Sequence, residues 1–415
     1  MSTVKVLGGN RLYGNVNVQG CKNAVLPIIA ASLLSCGVCV IHNCPRLADV
    51  YASVKILKEL GAGVSFENNT LVIDSTYIEC RDLKPELMST LRSSVIFLGA
   101  VLSRCSRATV AMPGGCDIGK RPIDIHLTAF ERMGVDVECN GEEVVCAVNN
   151  LHGENIYLPF PSVGATENIM LLAASGKGVT TIHNAAREPE IVDLQNFLNA
   201  MGARVFGAGT GMITIYAVSH LCPCEYTVMP DRIEASTFLC AVSAAGGETY
   251  IGGINPVFFK PVIGAVCCGG AVICEYSDGI YVRVNDVLSC PPVISTAPYP
   301  GFPTDAQSLM MSVMSCSVGE GEIRENIFEN RLGHGFELAK MGADIAIDGN
   351  RAYIRGTKLS GSDVTACDLR SGAALVVAAL SAEGETCING AEYIDRGYDG
   401  LINKLADLGA KCRKD

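Results

Sequence analysis

The stretch VYASVKILKELGAGVSFENNTLVID, residues 50–74, decides how this chain is read. Val50, Val54, Leu57 and Leu60 recur at helical spacing and share one face. Gly61 then stands where a helix can end in a left-handed residue, a conformation that costs glycine little. The β-rich run that follows predicts a hairpin with a polar tip at Glu67, Asn68 and Asn69.

The same phrase returns along the chain. It reads ERMGVDV around Gly134, NAMGARV around Gly202, AKMGADI around Gly342 and ADLGAKC around Gly409, with a degenerate copy, CCGGAVI, around Gly270. Successive glycines lie 73, 68, 68, 72 and 67 residues apart, a regularity expected of repeated α/β units and not of an irregular fold. A second phrase, GVCVIHNC at 37–44 and GVTTIHNA at 178–185, reads as a strand leaving a helix. The helices before these strands, in NAVLPIIAASLL, ATENIMLLAAS and RSGAALVVAALSA, are apolar all round, which marks them as buried. A chain of 415 residues is too long for one ordinary core. The expectation is therefore an α/β protein of two domains, three units each, with helices inside and sheets outside.

Composition narrows the function. A formal charge of −11 disfavours nucleic acid, whose phosphates require a basic face. The start, MSTVKVLGGN, lacks an apolar signal core, and the uncharged run from Ala24 to Ile41 contains Pro27 and Gly37. That run reads as helix, turn and strand, and no membrane insertion is expected. Twenty cysteines are read mainly as small buried hydrophobes in a reduced, cytoplasmic chain. A zinc site from Cys36, Cys39, His42 and Cys44 is disfavoured, since an extended segment spreads those groups over two faces. Neither metal nor cofactor is expected, and no P-loop, HExxH or dinucleotide fingerprint is present.

Chemistry concentrates in a few loops. VAMPGGCDIGKRPIDIH, residues 110–126, places Cys116 among glycines, Lys120 and Arg121 ahead of a helix, an anion-ready setting for a tuned thiol. QGCKNAVLPI puts Lys22 and Asn23 at the start of an apolar helix, where Lys22 could also be merely solvated. The prolines of TAPYPGFPTDAQ present Asp305 at a helix start, where it or Thr304 could simply cap the helix. Arg92, Arg331, Arg370 and Arg396 recur near expected helix starts and together fit a multiply anionic ligand.

The segments GCKNAVLPI, PGGCDIGKRPIDIH, SVGATENIM, NAAREPEIVDLQNFL, MPDRIEASTF, PGFPTDAQ, FENRLGH, DLRSGAALV and IDRGY resemble, in order and along nearly the whole chain, the UDP-N-acetylglucosamine 1-carboxyvinyltransferases of the EPSP synthase family. The resemblance implies a two-domain inside-out α/β barrel, with residues 22–228 forming one domain, 1–21 plus 229–415 the other, and the active site in the cleft between them. It implies transfer of the enolpyruvyl group of phosphoenolpyruvate to the 3′-hydroxyl of UDP-N-acetylglucosamine, the first committed step of peptidoglycan synthesis. Carried over by motif, Cys116 is the proton donor, on a loop that closes as a lid, and Asp305 is the base. Lys22, Arg121 and Arg396 hold phosphoenolpyruvate. Asn23, Arg92, Arg121, Pro122, Ile123, Asp124, Ile125, Ser162, Val163, Gly164, Asp305 and Ile327 hold the nucleotide sugar, and Arg331, Asp368 and Arg370 line the domain interface. One departure is Ala48, where some relatives carry a lysine, with Arg46 two residues away. The sibling acting on shikimate 3-phosphate and a non-catalytic nucleotide-sugar binder are the competing readings.

Overall fold

A computed structural model describes residues 2–80, 94–111, 123–140 and 143–415. They form two compact units. One contains the chain up to Gln19 together with Pro230–Asp415, and the other the described residues between Gly20 and Met229. Each has its own hydrophobic core.

The repeat phrase is realised six times. The helix Ala48–Glu59 buries Val50, Val54, Ile56 and Leu57, and Gly61 follows at φ +92°. Strands Gly63–Glu67 and Thr70–Asp74 then pair antiparallel across Asn68 and Asn69, both at positive φ. Asparagine tolerates that conformation, so the polar tip is a tight two-residue turn. Gly134, Gly202, Gly270, Gly342 and Gly409 all take φ between +88° and +103° after their own helices.

Apolar helices fill the middle of each unit. From Ala165 to Ala174 every residue of the helix Val163–Ala174 is buried, and Leu369–Ser381 is buried from Arg370 to Leu380. In the 230–415 unit the helices Arg232–Ala245, Thr304–Ser315 and Leu369–Ser381 pack on one another. In the other, Phe97–Cys105 packs on both Lys22–Ala31 and Val163–Ala174. Around these helices lie five four-stranded sheets and one of three described strands. Each four-stranded sheet joins one parallel pair to two antiparallel pairs. Strand Thr3–Leu7 pairs with Glu385–Asn389 and Lys411–Lys414, and Leu12–Asn17 pairs in parallel with Gly247–Gly252. This is the expected α/β architecture, helices inside and sheets outside. Among the described residues no helix is long and apolar enough to cross a membrane.

The cysteines depart from expectation. Cys80 and Cys105 form a disulfide, and of the other described cysteines only Cys21, Cys39, Cys44, Cys146 and Cys240 are buried. Cys274 sits on the outward face of a surface strand, and Cys267 and Cys268 end an outer helix, so local geometry exposes them. Ala48 opens a helix, and both it and Arg46 are exposed.

Candidate active site

Cys116, Arg92, Arg121 and Pro122 lie outside the described residues. The other expected site residues fall into two groups, one in each unit.

In the 20–229 unit, Lys22 and Asn23 open the helix Lys22–Ala31. A Cβ at Gly20 would sit 1.7 Å from the Asn43 carbonyl oxygen, so only glycine lets the chain approach that turn. Lys22 is not the solvated lysine its sequence setting allows. Its ammonium, largely buried, pairs with the buried Asp49 carboxylate at 2.9 Å. Ile123, Asp124 and Ile125 lie at the start of Asp124–Arg132, and Ser162, Val163 and Gly164 at the start of Val163–Ala174, where the Ser162 hydroxyl accepts the Ala165 N–H. His126 joins these two starts. A side chain on Gly164 would press on its ring, and the Asn168 amide reaches its Nδ1 at 3.0 Å. Asn168 is fixed by the Gly99 N–H and the Val95 carbonyl, so its NH2 faces the histidine, whose Nδ1 accepts. Burial, against the opposing pull of Asp124, pushes His126 down to about 4, so the ring is neutral. Nearby, burial pushes the Glu167 carboxyl well above the usual range, and Glu190 and Glu188 add to the effect.

In the 230–415 unit, Asp305 lies in the first turn of Thr304–Ser315, whose cap is Pro303, so neither Thr304 nor Asp305 is the cap. Each oxygen of the Asp305 carboxylate takes one guanidinium. Arg331 donates to Oδ1 at 2.6 Å and Arg370 to Oδ2 at 2.8 Å. Burial favours the protonated acid, but the charges of Arg370 and Arg331 outweigh it and hold Asp305 well below the usual carboxylate range. The arginines are fixed in turn. Arg331 also donates to the Thr304 hydroxyl, which donates to Glu325, and its guanidinium lies over the Phe328 ring. Glu325 further accepts the N–H groups of Ile327 and Phe328 and the Thr296 hydroxyl, and so shapes the segment carrying Ile327. Asp368 caps Leu369–Ser381 in a capping box, accepting the N–H groups of Arg370 and Ser371. Arg396 ends the short 3₁₀ segment Ala391–Arg396 and starts no helix, unlike the sequence expectation.

Sequence reading missed Thr237, Glu325, His126, Asn168, Gln19 and Tyr398. Partners distant in the chain reveal their roles, such as Gly99 for Asn168, Thr296 for Glu325 and Gly397 for Gln19.

The sequence profile of the EPSP synthase (3-phosphoshikimate 1-carboxyvinyltransferase) family matches residues 6–405. The chain belongs to that family. It is 46% identical over 411 residues to UDP-N-acetylglucosamine 1-carboxyvinyltransferase 2 of Caldanaerobacter subterraneus subsp. tengcongensis, with 99% of each chain covered. It is 45% identical over 414 residues to UDP-N-acetylglucosamine 1-carboxyvinyltransferase of Halothermothrix orenii, with 100% of each covered. Among solved structures, the enolpyruvyl transferase NikO from Streptomyces tendae is similar over the whole chain, at TM-score 0.89 and 25% identity, and 99% of that chain is covered. EPSP synthase from Acinetobacter baumannii shares the fold at TM-score 0.74 and 17% identity, with 100% of each chain covered.

Proposed function

We propose that this chain transfers the enolpyruvyl group of phosphoenolpyruvate to the 3′-hydroxyl of UDP-N-acetylglucosamine in the cytoplasm, the first committed step of peptidoglycan synthesis. The observation that carries the reading is end-to-end similarity, at 43–46% identity, to relatives named for that activity. The hydroxyl oxygen adds to C2 of phosphoenolpyruvate while C3 takes a proton, and the tetrahedral adduct then loses phosphate and a C3 proton to restore the double bond. This chemistry needs an acid at C3, a base for the hydroxyl, and cations for phosphate and carboxylate.

Cys116 supplies the acid. Asp305 is the base, and its two arginines keep it ionised at any physiological pH. An anion held so firmly is a weak base, so it accepts the hydroxyl proton late, as the oxygen bonds to carbon. Lys22, Arg121 and Arg396 hold phosphoenolpyruvate. Asn23, Arg92, the 121–125 segment, Ser162, Val163, Gly164 and Ile327 hold the nucleotide sugar, while Arg331, Asp368 and Arg370 set the surroundings of Asp305.

The test is phosphate release from phosphoenolpyruvate in wild type and Cys116→Ala. Release that requires UDP-N-acetylglucosamine and falls by a factor on the order of 10² to 10⁴ in the variant is expected for loss of a positioned acid. Release with shikimate 3-phosphate instead would move the substrate to the sibling reaction, and none with either acceptor would remove the activity.

A further inference from the structure

One buried side chain, that of Gln19, grips the backbone just after Arg396. The Gln19 Nε2–H donates to the Gly397 carbonyl at 2.9 Å, and its Oε1 accepts the Asp399 N–H at 2.7 Å. The amide can face only one way, since a flip would set oxygen against oxygen and N–H against N–H. Gln19 is itself fixed, because its backbone N–H meets the fully buried Glu234 carboxylate, whose other oxygen takes the Lys404 ammonium at 2.8 Å.

Between the two gripped peptides lies Tyr398, 2% exposed. Its hydroxyl meets Arg370 Nη1 at 3.2 Å and the Thr237 hydroxyl at 2.8 Å. The proton directions follow from the donors available. Thr237 spends its proton on the Ile233 carbonyl, so it accepts from Tyr398, and a guanidinium can only donate, so Tyr398 accepts from Arg370. Arg370 uses its other arm on Asp305. The loop carrying Arg396 and the Asp305 carboxylate are thus ends of one continuous hydrogen-bonded network, and such networks rigidify what they join.

We propose that Gln19 and Tyr398 are positioning residues: Gln19 aims Arg396 at phosphoenolpyruvate, and Tyr398 ties that loop to the arginine that holds Asp305. The proposal rests on the function above, in which Arg396 contacts phosphoenolpyruvate.

Gln19→Met keeps length and removes both hydrogen-bonding groups. With one misaligned charge-assisted contact at stake, KM for phosphoenolpyruvate should rise about fivefold, with kcat and KM for UDP-N-acetylglucosamine changed less than about twofold. In an Arg396→Ala background the same change should add nothing, because its effect passes through Arg396. Gln19→Glu supplies the conservative rescue. A protonated glutamic acid offers the same donor and acceptor, so KM for phosphoenolpyruvate should return toward wild type as pH falls. Tyr398→Phe, which touches both ends, should raise KM for phosphoenolpyruvate and lower kcat together.

Equal rises in both KM values, a full effect on top of Arg396→Ala, or a pH-independent KM in Gln19→Glu would overturn the proposal. Direct titration with phosphoenolpyruvate by calorimetry separates it from the function. A wild type that binds this ligand without turnover would sink the activity alone and leave the Gln19 effect readable in Kd. One that does neither would sink both.

Discussion

His126 and His334 each stand eight residues before a repeat glycine, Gly134 in one unit and Gly342 in the other. Both are buried, and burial pushes both down to about 4. Yet they carry opposite tautomers. His126 Nδ1 accepts from the Asn168 amide, which leaves its proton on Nε2. His334 Nδ1 faces the Arg331 carbonyl at 3.1 Å and must donate, which leaves Nε2 unprotonated and without a hydrogen-bond partner. The repeat fixes where a ring is buried, and the neighbours decide what it does. Around His126 the link between helix starts is a neutral amide. Around His334 it is a charged set, Arg331, Asp305, Arg370 and Asp368.

The sharpest way to break this contrast is to cut each link. Asp305→Ala leaves two buried guanidiniums facing each other. Asp305 is a quarter exposed, so the loss should fall near the lower end of the about 3–5 kcal/mol typical of a broken buried ion pair. Asn168→Ala should cost about 1–3 kcal/mol, the penalty of orphaning neutral groups. Denaturant midpoints measure both, and equal losses would erase the distinction between the units.

The pH response comes next in size. For both histidines the folded value lies below the ordinary 6.5. Their contribution is therefore fully present above pH 6.5 and is withdrawn as pH falls toward 4, by up to about 3 kcal/mol each. His126→Asn retains a group that accepts from Asn168, and His334→Asn one that donates to Arg331. Each should flatten the loss of unfolding free energy between pH 7 and pH 4, and an unchanged acid limb would mean that the ring is charged in the folded state.

Smallest is the effect of the repeat glycines. Gly202→Ala meets nothing within 4 Å and should cost only the strain of its positive φ, about 1 kcal/mol. Gly134→Ala would bring a Cβ within 2.1 Å of the Asn150 carbonyl oxygen and should cost clearly more. Equal melting temperatures for the two variants would show that the close approach at Gly134 relaxes freely.

Much of the fold was legible because it is local. Helix spacing before Gly61, the left-handed glycine and the Asn68-Asn69 turn depend on neighbours a few residues away, and the same reading served all six units. The cysteines were not legible, because exposure depends on which face of a strand or helix turn a residue takes, as with Cys274. Asp305 could be placed at a helix start, but not distinguished from a cap. That distinction required Arg331 and Arg370, 26 and 65 residues further on.

The sequence by itself determined the six α/β units, their buried helices and the family, since periodicity and long ordered motifs are written along the chain. The tertiary structure alone decided the ionisation of Asp305, the opposite tautomers of His126 and His334, and the grip of Gln19 on a loop 378 residues away. Those properties depend on which charge or donor lies within about 3 Å of an atom. Only folding brings such groups together.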